Sequence, residues 1–111
     1  MAKSVSELGA FEQQVLLTIL RLHPDGYGVS IRDELQARMG RNVSFGAVYA
    51  TLERLQDKGL VARREGEATA ARGGRAKGYF SLTVPGKHTL QASLQALDAL
   101  RGDLVVGGVL V

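Results

Sequence analysis

The residues of this chain with a chemistry to perform form two sets. Ser44, Gly46, Ala47, Tyr49, Ala50, Thr51 and Arg54 lie within one short stretch, and Arg72, Arg75 and Lys77 lie in a second. None is arranged for covalent catalysis. The acids Asp25, Asp33 and Glu34 are not matched with a positioned His or Cys, and the chain has no cysteine. His23 and His88 stand far apart without ligand-like neighbours, so neither a metal site nor an enzyme is expected. Gly73 and Gly74 suggest a phosphate cradle, but no Gly-Lys-Ser/Thr follows them, and no cofactor is expected. What remains is non-covalent. Gly and Ala let a helix backbone come close to another molecule, alanine methyls can touch thymine methyls, and hydroxyls and guanidinium groups bind phosphate. A helix entering the major groove of DNA needs such a face near its N-terminal end. An alanine-rich helix packed on a neighbouring element would carry the same residues.

The elements that must position these groups are legible from periodicity. Phe45, Val48, Leu52 and Leu55 recur at helical spacing and predict the core side of a helix over residues 44–58. Ser44 is its N-cap, and Gly59 followed by Leu60 is its stop. Before it, Ser4 and Glu7 read as a capping box for a first helix with Leu8, Phe11, Val15, Ile19 and Leu22 on its apolar face. His23 to Gly28 (HPDGYG) form a turn, with His23 at the helix end. A second helix is predicted over 29–39, burying Ile31 and Leu35 and ending at Gly40.

Beyond Gly59 the pattern changes. Residues 60–64 and 79–83 read as two strands, with Phe80 and Leu82 on one face, joined by a long tip rich in Gly, Ala and Arg. Such a basic tip suits a phosphate backbone or a minor groove. Pro85 fits the first turn of a last helix over 85–104, striped by Leu90, Leu94, Leu97, Leu100 and Leu104. At 1.5 Å per residue it would run roughly 30 Å, long for so small a domain, and it is expected to serve as a dimerisation arm. Leu8 and Phe11 are expected to complete that contact. Packing of the arm on its own domain is the competing expectation. Gly107 and Gly108 interrupt the pattern, and the apolar tail after them has no assigned role.

The chain has 111 residues, a net charge of +3 and a pI near 9.6. Between Arg41 and Lys77 stand eight basic residues against four acidic ones, so this segment carries +4 and the rest −1. Positive charge therefore gathers around the bare helix and the hairpin, as an encounter with phosphates requires. A solvated basic loop would give the same count. The start of the chain lacks the apolar core of a signal peptide, and no run approaches the roughly 20 apolar residues of a membrane span. A soluble cytoplasmic protein is expected.

Three helices, a hairpin wing and a leucine-bearing helix make a fold that is mainly α with a two-stranded β-wing. This is a winged helix-turn-helix domain, residues 1–84, plus a C-terminal dimerisation helix and tail, residues 85–111. The runs GYG at 26–28, SFGAVYATLERL at 44–55, KGLV at 58–61 and GGRAKGYFSLT at 73–83, with Gly86, closely resemble the PadR-like transcriptional regulators. The resemblance extends over residues 8–100. It implies a homodimeric DNA-binding regulator, usually a repressor, whose helix 44–58 enters the major groove while the wing touches the backbone and the C-terminal helix makes the dimer. It also leaves a small-molecule effector open: the larger members add a ligand-responsive helical domain that has no counterpart here, and this arm carries no aromatic residue after Phe80 to line a pocket. The alternative function is a winged-helix module for protein–protein contact. DNA binding requires Arg54, Arg72, Arg75 and Lys77 on one continuous face, whereas a protein contact does not.

Overall fold

A computed structural model describes residues 8–66, 77–106 and 109–110. Its elements are α1 (Ala10–Leu22), α2 (Gly28–Met39), α3 (Phe45–Asp57), β1 (Val61–Glu65), β2 (Gly78–Leu82), α4 (Val84–Arg101), β3 (Val105–Val106) and β4 (Val109–Leu110).

Each helix starts where the sequence supplies an acceptor for an otherwise unpaired backbone amide. Ser44 Oγ accepts from Ala47 N at 3.1 Å and starts α3. Thr83 Oγ1 accepts from Gly86 N at 3.0 Å and starts α4, with Pro85 in the first turn. At α2 the roles reverse, and Ser30 Oγ accepts from Tyr27 N at 3.0 Å. The start of α1 differs from expectation. The Ser4 and Glu7 pair lies outside the described residues, and the helix begins only at Ala10, where Glu12 Oε1 accepts from Gly9 N at 2.9 Å. The ends follow the glycines: Gly40 closes α2 with φ 66° and Gly59 follows α3 with φ 76°. At Gly59 the chain makes a paired stop, Gly59 N donating to Gln56 O and Leu60 N to Leu55 O, both at 2.9 Å.

The core forms where α1, α2 and α3 meet the wing root, with Leu16, Ile19, Ile31, Leu52 and Leu55 almost wholly buried. Each such side chain stabilises the fold by about 1.5–3 kcal/mol relative to exposure. Two apolar residues are not where periodicity places them. Phe45 is expected in the core but remains 40% exposed, because it sits in the first turn of α3 with its ring covered by Arg32 instead of by core side chains. Leu90 is expected in the dimer contact but is buried in the protomer's own core, 3% exposed, because the first half of α4 lies on the winged domain.

β1 and β2 pair antiparallel, with Val61 opposite Leu82 and Arg63 opposite Phe80. The turn before α2 adds a short third edge. Phe80 N donates to Gly26 O at 2.8 Å, Tyr27 bridges to Tyr79, and their rings meet edge to face at 5.9 Å. Arg64 donates to Pro24 O at 3.1 Å and lies over the Tyr79 ring. The wing is thereby tied to the α1–α2 turn. The apolar tail, without an assigned structure in the sequence, forms a two-residue antiparallel pairing of β3 with β4.

The tightest backbone approach lies between α4 and the β1 entrance. A Cβ added to Gly86 would stand 2.0 Å from Leu60 O, which also accepts from Thr83 N at 3.0 Å. Backbone on both sides leaves nothing soft to yield. Gly86→Ala is therefore expected to cost about 1–3 kcal/mol or more. Denaturant unfolding of the variant beside the parent measures this, and equal midpoints would mean that α4 is free to move off the wing root.

Candidate nucleic-acid interface

At about 100° per residue, α3 buries Val48, Thr51, Leu52 and Leu55 and turns Gly46, Ala47, Ala50, Glu53, Arg54 and Asp57 to solvent. The first two turns of this outer face are bare, and a Cβ at Gly46 would meet nothing within 4 Å. Among the described residues Gly46, Ala47 and Ala50 are all exposed, so the alanines are not the packing face of a buried helix.

Thr51 is a correction. It is 1% exposed, because its position on the wheel lies with Val48 and Leu55 rather than with Ala50. Its hydroxyl accepts from Arg54 Nη2 at 3.0 Å, so it positions the arginine and does not itself reach the surface. Tyr49 is half-exposed. Its ring stacks beside Phe45 at 6.5 Å, and its hydroxyl lies against the start of α2, where a Cβ at Gly28 would come within 2.2 Å of it. The ring is thus packed between α3 and α2 while 48% of the residue remains exposed.

Arg54 and Lys77 flank the bare face from opposite sides. Arg54 leans towards α1, its Nε 3.6 Å from Glu12 Oε2. Lys77 lies across the groove that separates α3 from the wing root, its Nζ 3.9 Å from the Tyr27 ring centre. That groove, about 970 Å³, is also lined by Tyr49, Glu53, Gln56 and Arg63. Arg72 and Arg75 lie outside the described residues. Two further cations stand beside the start of α3. Arg32 and Arg41 line a second recess with Ser44 and Ala47. Neither was singled out by spacing, since one belongs to α2 and the other to the connecting turn.

Charge gives the helix a direction. Its N-terminal end combines the positive end of the helix dipole with Arg32 and Arg41, whereas its last turns expose Glu53 and Asp57. The dipole and Arg41 favour a polyanion at the first end, where Arg32 is also paired with Asp33 at 3.0 Å, whereas in the last turns Arg54 and Lys58 offset Glu53 and Asp57.

Glu12 is a third residue that spacing did not single out, and it supports the site by pairing with its cations. Only 7% exposed, it receives Lys58 Nζ at 2.9 and 3.1 Å, the Gly9 amide and the more distant Arg54. Its place between Leu8 and Val15 on the apolar stripe of α1 was the available signal, because a carboxylate there must be paired. Burial pushes its carboxyl up, but the Gly9 amide, Lys58 and Arg54 outweigh burial and hold it below the usual glutamate value.

The residues expected at the dimer contact divide. Leu8, Phe11 and Leu94 are half-buried against the protomer's own core. Leu97 and Leu100 are 51% and 78% exposed on the second half of α4. Gln13 of α1 hydrogen-bonds Ser93 of α4, which fixes where the helix leaves the domain.

Three helices, a paired wing and an outward bare face on the third helix define a winged helix-turn-helix protein. The transcriptional regulator PadR-like family model matches residues 16–92, well over half of the chain, and the protein belongs to that family of DNA-binding, non-enzymatic regulators. Its fold is similar to that of RosR from H. salinarum, at 24% identity and a TM-score of 0.70, covering 92% of this chain and 84% of that one. A PadR-like transcriptional regulator from Bacillus cereus is similar at 24% identity, TM-score 0.68, over 83% and 84% of the two chains. A PadR family regulator from Eggerthella lenta is similar at 21% identity, TM-score 0.63, over 78% and 72%. No curated protein matches the chain. Among the described residues no helix is long and apolar enough to cross a membrane.

Because Glu12 is held low in the folded state, its contribution is complete above its unfolded-state pKa and is lost as pH falls through the folded one. Glu12→Gln should therefore lower stability by about 1–2 kcal/mol at pH 7. The gap from the parent should close on acidification below about pH 4. Denaturant unfolding across this range measures it, and a gap undiminished at pH 3 would mean that shape rather than charge is responsible.

Proposed function

We propose that the protein is a soluble, cytoplasmic repressor that binds a pseudo-palindromic DNA operator as a homodimer. The first two turns of α3 enter the major groove, and Ser44, Gly46, Ala47, Tyr49 and Ala50 form the approaching surface. Arg54 on one side and Lys77 on the other neutralise flanking phosphates, and Arg72 and Arg75 of the wing tip add to this. The observation that carries this reading is the uncovered small-residue face of α3, bracketed by cations and backed by a rigid core. A protein-docking module would not need that charge distribution. No effector is proposed.

Two copies are needed because one recognition helix covers only a few base pairs. Pairing doubles the contacts and sets half-sites about 10 base pairs, or a multiple, apart. The division into a winged domain over residues 1–84 and an arm over 85–111 belongs to this proposal. Leu97 and Leu100 continue the stripe whose first half, Leu90 and Leu94, rests on the protomer's own core. The exposed half suits a second copy of the same chain.

Two measurements test this. In sedimentation the parent should be dimeric at micromolar concentration and Leu97→Glu should dissociate while keeping its helix content, whereas a monomeric parent would remove the dimer and the palindrome with it. In operator titrations, log affinity of the parent should fall with log salt by about 0.9 per phosphate contact. Ala50→Glu should lower operator affinity by about tenfold or more, through one base step lost at about 1–3 kcal/mol. Unchanged binding by Ala50→Glu at moderate salt would mean that another face meets DNA.

A further inference from the structure

Phe45 is an aromatic residue in the wrong place for a core and the right place for a base. It occupies the first position of α3, the end that the surrounding charges direct towards a polyanion, yet 40% of it faces solvent. Side chains of a helix lean towards its N-terminus, so the ring projects beyond the first turn instead of back along the domain. It is also held. The Arg32 guanidinium carbon stands 4.5 Å from the ring centre, Tyr49 stacks beside it with planes 27° apart, and Arg32 is itself anchored by its Nε donating to Val43 O at 2.8 Å. An exposed ring fixed in this way loses little freedom when it makes a contact.

Elimination among its neighbours leads to the same residue. Val48 is buried. Gly46, Ala47 and Ala50 are too short to reach past the helix surface. Tyr49 is 48% exposed, but its hydroxyl end lies against the backbone of Gly28 at the start of α2. Phe45 is thus the long apolar side chain of the first two turns, with one face held by Arg32 and Tyr49 and 40% of the residue left to solvent. In the major groove the one apolar feature of a base pair is the thymine C5-methyl, and phenylalanine is among the residues that recognise it.

We propose that Phe45 reads sequence by packing its ring on the C5-methyl of one thymine in each half-site. This rests on α3 entering the major groove, as above. It assigns to Phe45 a specificity that the phosphate contacts cannot supply, at a thymine beyond the reach of the short alanine side chains.

The test replaces thymine by deoxyuridine, which removes only that methyl. An operator is first selected in vitro with the full-length parent, and symmetric thymine pairs are then exchanged one at a time. The parent should lose about fourfold in affinity per half-site at one pair, the value of one buried methyl group. Phe45→Ala should bind the thymine and deoxyuridine forms of that pair equally while keeping the parent's response at every other pair. Phe45→Leu, which retains an apolar end, should keep a reduced preference and guards against loss through misfolding of the alanine variant. A parent that selects an operator but is indifferent to every methyl overturns the assignment of Phe45 alone. So does an unchanged methyl response in Phe45→Ala. A parent that selects no sequence overturns this inference together with the major-groove reading beneath it.

Discussion

The corner at Gly59 and Leu60 is the constraint on which the other elements depend. Within two residues the chain ends α3, turns through a left-handed glycine and enters β1. The Leu60 amide is used to close α3, while its carbonyl accepts from Thr83 at the end of the wing and leaves room only for a glycine at position 86. The Thr83 hydroxyl donates to Gly59 O at 2.7 Å and accepts from Gly86 N. α3, the wing and α4 therefore meet through backbone atoms, which have less freedom to adjust than side chains. The angle between α3 and the wing, and the direction in which α4 departs, are set at that point.

Electrostatics divides the same helix between stability and recognition. On its inner edge Glu12 gathers Lys58 and Arg54, and Thr51 holds Arg54 from beneath. The carboxylate is buried at the start of α1, so its pairing ties that helix to the C-terminal half of α3. On the outer face, Glu53 and Asp57 stand beside Arg54 in the late turns, whereas the early turns pair the small residues Gly46, Ala47 and Ala50 with the exposed rings of Phe45 and Tyr49 and with neighbouring Arg32 and Arg41. Arg54 stands at the boundary: half-exposed and only loosely paired at 3.6 Å, it can give up Glu12 for a phosphate at small cost.

The arm follows a simpler rule. One apolar stripe runs the length of α4, but the domain beneath is only long enough to cover its first half, through Leu90 and Leu94. The Gln13 to Ser93 hydrogen bond marks the edge of that cover. Beyond it the same periodicity continues through Leu97 and Leu100 into solvent. That uncovered half is the surface offered to a second copy in the proposed homodimer.

What the sequence by itself determined was local. Ser44, Thr83, Gly40 and Gly59 mark helix ends because capping and left-handed turns need those residue types, whatever packs around them. The leucine and valine spacings named the helices, Phe80 and Leu82 named the inner face of the wing, and the order of these pieces was specific enough to point to the family. Periodicity also assigned Phe45 and Leu90 to faces, and there it failed in opposite directions. A helical wheel records direction but not how far along the axis a neighbouring element extends, so it could not tell that cover is absent at the first turn of α3 and present at the second turn of α4. Thr51 is a different case: its place three residues after Val48 and four before Leu55 already puts it on the buried side of the wheel, whereas its small hydroxyl side chain alone is compatible with either side. Glu12 and its cations lie 46 residues apart in the case of Lys58. Their pairing arises from the docking of two helices, which is a property of tertiary structure and has no signature at any fixed spacing along the chain.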